Sequence, residues 1–325
     1  MGLLSAPLVV PVYSPPSAAD AGATLLPRPA AQAGAPGEAG ARPASPAPGA
    51  ARLEVVWAPS EIHQGDVFLL RVRGAVPFAS LTARFGRWAV AFWPEAGAPA
   101  AATTASRGLV GVDLEDPPGP APIVVEARTP TGESLQAHAV IPVLRAPFPT
   151  QRLTVPRPFV ELDPPTLARV QRERERMEWA LEASSPRRLW AGPFRPPLED
   201  PPAPRGFGAR RIINGEGRAP HTGADYAVPA GTPVLAAQAG AVLLAEEHFF
   251  PGRAVVIDHG LQLFTMYFHL QEVRVRAGDV VQAGQVIGTA GASGRATGAH
   301  LHWGARLGGA RVDPTALVRL LRTED

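Results

Sequence analysis

Apolar residues in this chain come in short runs, and nearly every run is stopped by a glycine or a proline. The 325 residues include 38 prolines and 33 glycines. Proline lacks the backbone donor and glycine carries the largest backbone entropy cost, so few stretches can sustain a long helix. Short strands joined by tight turns are what such punctuation allows. A chain of this length is expected to hold about two domains, each large enough to bury a core.

Composition excludes several chemistries. There is no cysteine, hence no disulfide framework and no thiolate metal site; a metal here must be held by nitrogen and oxygen. All basic residues are arginine, which explains a sequence pI of 9.6 at a net charge of only +2. The charge is spread along the chain rather than clustered, which does not support nucleic-acid binding. No apolar run is long enough to span a membrane as a helix. The first residues, M-G-L-L-S-A-P-L-V-V-P-V-Y-S, are apolar but lack the basic start of a complete signal peptide. They read as an incomplete secretory signal or as an apolar tail.

Four segments follow in order. Residues 1–50 combine this apolar start with a stretch made almost entirely of Ala, Pro, Gly and Ser, expected to be a disordered linker or stalk. Residues 51–147 hold about seven short, partly alternating runs, among them V-F-L-L-R-V-R, W-A-V-A-F-W and I-V-V-E-A-R. That spacing predicts an immunoglobulin-like β-sandwich. Residues 148–204 read as a helical and Pro-rich connector. Its helix is predicted over 163–186, with Asp163 as cap and Leu167, Val170, Met177 and Leu181 on one face. Residues 205–325 return to short strands and end in a helix capped by Asp313. The fold class is therefore mainly β, two β domains joined by a helix.

Four of the eight histidines gather in the last segment with one aspartate: His221 and Asp225 in P-H-T-G-A-D-Y, His269 in M-Y-F-H-L, and His300 and His302 in T-G-A-H-L-H-W-G. Strand residues two apart share a face, so His300 and His302 are expected on one side with Leu301 in the core. The same rule puts Thr265, Tyr267 and His269 on one face and Phe264, Met266 and Phe268 on the other. Thr222 and Gly223 and the following V-P-A-G-T-P argue against a helix at His221, so this is not a helical H-E-x-x-H site. Two imidazoles and one carboxylate suit zinc, with a fourth position for a water whose pKa falls to about 7. Only two of the four histidines are needed for such a site, which leaves the others for proton transfer.

In this order and spacing the segments resemble the lysostaphin/LytM-type zinc metallopeptidases, which cut peptide bonds in bacterial peptidoglycan. The resemblance covers about residues 206 to 314, through F-G-A-R-R-I-I-N-G, H-T-G-A-D-Y, G-T-P-V-L-A, I-D-H-G, Y-F-H-L, G-D-V-V-Q-A-G-Q-V-I-G and G-R-A-T-G-A-H-L-H-W. The sandwich and connecting helix also resemble some envelope members. The resemblance implies a LytM-type barrel-sandwich domain and Zn2+ bound by His221, Asp225 and His302. It makes His269 and His300 the catalytic pair. It further implies peptidoglycan stem peptides or cross-bridges as substrate, a D-amino-acid cross-link ahead of a glycine bridge. A secreted protein of the cell envelope follows, periplasmic or extracellular, with room for envelope protein partners.

Other readings stand beside this one. Some family members have lost the metal and act as binding modules that activate other cell-wall hydrolases; those lack one or more of the five residues, all of which are present here. The V-R-A-G-D-V-V-Q-A-G-Q-V-I-G run also resembles biotinyl/lipoyl carrier domains, but such a carrier needs a lysine and this chain has none. Some staphylolytic relatives carry a tyrosine shortly before the first ligand; here that segment reads N-G-E-G-R-A-P. Arg295 reads equally as a substrate contact or a loop brace. His63, His138, His248 and His259 read as structural or merely exposed, with His248 in a loop.

Overall fold

A computed structural model of the chain describes residues 52–95 and 104–322; the stalk expected over 1–50 lies outside the described residues. The first β domain is formed by β1 (Leu53–Ala58), β2 (Ile62–His63), β3 (Val67–Gly74), β4 (Ser80–Phe85), β5 (Trp88–Val90), β6 (Phe92–Pro94), β7 (Ala105–Gly111), β8 (Gly119–Arg128) and β9 (Ser134–Leu144). They make two sheets, β1-β3-β7-β6 and β2-β9-β8-β4-β5. Phe68, Leu70, Val72 and Val110 of the first meet Phe85, Ile123, Val125 and Ile141 of the second in one apolar core. Strand β9 alternates buried and exposed residues, as one solvated face requires.

Strand β3 is different. Its V-F-L-L run is buried at every position. Phe68 and Leu70 enter the sandwich core, whereas Val67 and Leu69 join the core of the C-terminal domain. A continuous apolar run is the signature of a strand covered on both faces, and here the second cover is the other domain.

After β10 (Thr150–Leu153) and a 3₁₀ turn at Arg157–Phe159 comes helix α1 (Pro164–Glu182), four residues shorter at its end than expected. Asp163 accepts from the Thr166 N–H at 2.8 Å, and prolines occupy the first helical positions where no donor is needed. Met177 and Leu181 pack on Leu244, Val256 and Met266. Leu167, expected on the same covered face, is 57% exposed because the helix outruns its support. Arg176 ties the helix to Glu246. The Pro-rich segment that follows is no free linker: Trp190, Phe194 and Leu198 are buried in the C-terminal core.

That domain contains β11 (Arg210–Ile213), β12 (Glu216–Arg218), β13 (Gly223–Tyr226), β14 (Pro233–Leu235), β15 (Gly240–His248), β16 (Gly252–Asp258), β17 (Leu263–Val273), β18 (Val280–Val281), β19 (Val286–Ala290), β20 (Leu301–Leu307), β21 (Ala310–Val312) and helix α2 (Pro314–Leu321). The main sheet runs β13-β20-β17-β16-β15-β18, with β19 joining β17 to β14. Strand β10 pairs in parallel with β11, so the expected connector donates a strand to the C-terminal domain. No helix among the described residues is long and apolar enough to cross a membrane.

The two β domains share more than apolar contact. Arg311 of β21 donates through Nε and Nη2 to Asp113 at 2.9 and 2.5 Å, and through its backbone N–H at 2.8 Å. Asp113 is 1% exposed. Burial works to raise its pKa, but the bonds and charge of Arg311 outweigh that and hold the carboxyl below the usual aspartate range. A carboxyl lowered in this way stabilises the fold above the unfolded aspartate pKa, and that contribution is lost as pH falls through the folded value. Asp113→Asn should therefore cost about 3 kcal/mol near neutral pH, as removal of one buried partner does. Urea midpoints taken at several pH values should show that cost shrinking as pH falls below the usual aspartate pKa, where the unfolded carboxyl takes up a proton before the native one does.

Candidate metal centre

One row of side chains across three strands builds the site. On antiparallel β13 and β20 Asp225 lies opposite His302, and on β20 and β17 His302 lies opposite Phe268. Directly paired residues share a face, so Asp225, His302 and Phe268 stand side by side. The neighbouring row, Ala224, Trp303 and Tyr267, points the other way into the core. Phe268 stacks flat on the His302 ring, with centroids 5.3 Å apart and planes at 3°. That contact fixes the imidazole plane.

His221 precedes β13 and is gripped by the 206–209 loop. Its backbone N–H donates to Ala209 O at 3.0 Å and its carbonyl accepts from Gly208 N–H at 2.8 Å. Its Nδ1 sits 2.9 Å from Gly206 O, so Nδ1 carries the proton and Nε2 presents a lone pair. Gly206 has φ +87°, and a Cβ there would lie 2.7 Å from that same Nδ1. Only glycine lets the loop close this tightly on the ring.

The three ligand atoms converge. His221 Nε2 is 2.9 Å from His302 Nδ1 and 3.1 Å from Asp225 Oδ1, and His302 Nδ1 is 2.9 Å from the same oxygen. Ligand atoms of a tetrahedral zinc site, with bonds of about 2.0 Å, stand ~3.3 Å apart. This triangle is nearly that size, and its donors are nitrogen and carboxylate oxygen only, so the residues fit a metal ion. Burial tends to raise the Asp225 carboxyl, but its bonds with His221 and His302 hold it well below the normal range. Burial pushes the His302 imidazole down to about 4, so the ring is neutral near pH 7, the form a metal needs.

His269 and His300 complete the cluster. His269 does not follow the face predicted from alternation. Thr265 and Tyr267 are buried on the core side, where the Tyr267 hydroxyl accepts from Ala237 N–H at 2.8 Å. At the end of the run a bulge sets Phe268 and His269 against the single residue Ala254, and His269 takes φ +61°. An extra residue in the left-handed conformation re-aims the side chain, and His269 joins Phe268 and His302 at the cleft. Its N–H donates to Pro251 O at 2.8 Å and its Nδ1 lies 2.8 Å from Ser293 O. Burial first, then the neighbouring His302 and His300, push its pKa down to about 3. His300 lies just ahead of β20 rather than on it, bridged to Gly291. Its Nδ1 is 2.9 Å from Gly298 O and its ring centroid 4.7 Å from that of His269.

All five predicted residues are therefore brought together. Asp225, His269, His300 and His302 line a cleft of about 300 Å³, with His221 closing the triangle behind it. The remaining histidines lie elsewhere. His259 is fully buried between Ala239 O and the Thr265 hydroxyl, and burial pushes it down to about 4. His248, expected in a loop, ends β15, buried and 2.9 Å from Glu246. His63 sits beside Asp66 and His138 on β9. Sequence reasoning missed the opposite wall of the cleft, where Gln151, Leu153 and Val155 stand with Arg211. A parallel pairing between segments some 60 residues apart leaves no local pattern to find.

Comparison with known proteins bears on the same region. Residues 219–314 match peptidase family M23. The C-terminal domain belongs to that family. Peptidoglycan DD-endopeptidase ShyA of Vibrio cholerae is 46% identical over 85 residues, 26% of this chain and 20% of that protein. ShyB of the same organism, also named a peptidoglycan DD-endopeptidase, is 41% identical over 99 residues, 30% of this chain and 23% of that one. The chain thus spans about a fifth of the length of these curated relatives. A solved structure from Pseudomonas aeruginosa, described as an M23 peptidase, aligns over 80% of this chain and 96% of its own at 29% identity and a TM-score of 0.55. That likeness reaches beyond the M23 domain into the preceding β domain and connector.

Gly223 tests how tightly the M23 site is supported. A Cβ there would lie 2.5 Å from His302 Nε2 and 2.7 Å from Trp303 O. Gly223→Ala should weaken divalent-metal affinity roughly 10- to 100-fold, the usual effect of disturbing a ligand's support. Chelator competition should show this while far-UV circular dichroism stays unchanged.

Proposed function

We propose that this chain is a zinc-dependent endopeptidase that hydrolyses peptide cross-links of bacterial peptidoglycan in the cell envelope. The observation that carries the reading is the triangle of three lone-pair donors with two further imidazoles beside it, each tethered through Nδ1 to a backbone carbonyl. His221, Asp225 and His302 would hold the metal. A zinc ion held there supplies Lewis acidity and brings the pKa of a coordinated water to about 7.

The other groups of the cleft handle position and protons. With Nδ1–H donated to Ser293 O and Gly298 O, His269 and His300 each turn Nε2 towards the cleft. One takes the proton as water attacks the scissile carbonyl. The other, when it carries a second proton on Nε2, donates to the developing oxyanion or to the leaving amine. Such proton transfer contributes typically ~10²–10⁴-fold in rate. A stem peptide enters between the β10–β11 wall and the 291–299 loop. The names of ShyA and ShyB favour a D-amino-acid cross-link as the bond cut. Among the described residues of the preceding β domain no cluster of polar groups converges on the cleft, and its role is to support the catalytic core through β3 and Asp113.

The test is digestion of purified sacculi by zinc-loaded protein, with mass analysis of the released fragments. Cleaved cross-linked dimers are expected; sacculi left intact would favour a binding module over an enzyme. His302→Gln should lose both zinc and activity, since it removes one of three protein ligands. His269→Gln and His300→Gln should retain about one zinc per chain while turnover falls ~10²–10⁴-fold. Metal content measured beside rate separates the two classes, and loss of zinc in His269→Gln would overturn the division of roles.

A further inference from the structure

The cleft contains two cations that no carboxylate among the described residues pairs with directly. Arg211 of β11 and Arg295 of the 291–299 loop both line it. Neighbouring Arg218 is paired with Glu216 at 2.6 Å, whereas neither Arg211 nor Arg295 forms an ion pair among the described residues. The cleft's carboxylate, Asp225, is committed to the His221–His302 triangle.

Arg211 is also held open. Its Nε is buried without an acceptor, and Gln151 Oε1, on the residue opposite it in the β10–β11 register, is buried without a donor. Buried polar atoms are nearly always satisfied. Two unsatisfied ones side by side in the wall of a cleft mark a place where a ligand completes the bonding. Arg295 is pre-set for the same task. Its backbone N–H donates to Phe250 O at 3.0 Å and its guanidinium lies over the Phe250 ring at 4.4 Å. Burial, and then repulsion from Arg211 and Arg218, lower its pKa, so these cations share one field.

We propose that Arg211 and Arg295, with the Gln151 amide beside them, form a subsite that binds a free carboxylate of the peptide substrate near the scissile bond. The proposal rests on the peptidase reading of the cleft and adds to it the charge that the substrate must carry. A planar guanidinium pairs with a carboxylate through two parallel N–H donors, which fixes orientation as well as charge. A subsite of this kind places the substrate backbone relative to His269 and His300, and it selects against peptides whose carboxylate is amidated. Gln151 Oε1 is left to accept a substrate N–H.

Three synthetic cross-linked peptides test it. Each has a D-alanyl amide to the side-chain amine of a diamino dicarboxylic acid. The parent keeps both the carboxylate beside that amine and the C-terminal carboxylate; the second peptide is amidated at the former, the third at the latter. Binding is measured by calorimetry on zinc-loaded full chain carrying His300→Gln, where turnover is slow. One of the two amidated peptides should bind roughly 10- to 100-fold more weakly than the parent, the loss expected for a charge-assisted pair, and which one it is identifies the carboxylate. Adding Arg211→Gln or Arg295→Gln should abolish that discrimination while leaving affinity for the amidated peptide nearly unchanged. Equal binding of all three peptides to the His300→Gln protein overturns the subsite, without depending on how any arginine variant folds. Slowing of all three by Arg211→Gln in the otherwise wild-type enzyme, with no change in relative affinity, overturns it as well, because it assigns the guanidinium to the oxyanion. Discrimination in binding without cleavage by wild-type protein would sink the peptidase reading and leave the subsite standing.

Discussion

The ligand atoms of His221, Asp225 and His302 stand within about 3 Å of one another, and most of the surrounding structure serves to keep them there. The β13–β20 register sets Asp225 against His302, and the stack with Phe268 holds the ring plane. The 206–209 loop closes on His221, and Gly206 O accepts a hydrogen bond from its Nδ1–H. Each constraint comes from backbone pairing or from aromatic contact, which are stiff, rather than from long side chains, which are not.

The rigidity extends outward through elements that carry no chemistry. Strand β3 is buried on both faces because the sandwich and the catalytic domain share it. Arg311 reaches across to Asp113, and Trp190, Phe194 and Leu198 fill the catalytic core from a segment rich in proline. The M23 domain is therefore not closed on its own: apolar positions of its core are supplied by residues far upstream. The same dependence shapes the cleft, since β10 forms one of its walls.

The bulge at His269 connects fold to function most directly. Regular alternation would bury this imidazole beside Tyr267. One additional residue in β17, with φ +61° at His269, brings it to the opposite face within reach of His300. A non-glycine residue seldom adopts this conformation, although histidine does so more often than most. The bonds from Pro251 and Ser293 hold it there, and the strain is local to the place where a proton acceptor is needed.

Much of this protein was legible in its residues. Glycine and proline punctuation dictated short strands, the absence of cysteine limited metal ligands to nitrogen and oxygen, and Asp163 and Asp313 cap the two helices where propensity says they should. Those are local effects, decided by the conformational range of single residues and their nearest neighbours. The five-residue cluster was visible because histidine is scarce and its spacing is specific. The rest was decided by contacts between distant segments. The face of His269 depends on a bulge that no alternation rule contains. The burial of His248, the exposure of Leu167 and the double cover of β3 depend on which element lies opposite. Gln151 and Arg211 meet only through a parallel pairing, whose partners are set by the whole domain. Pattern alone records what a residue prefers; tertiary structure decides which of its atoms remain without a partner, and those are the atoms available for chemistry.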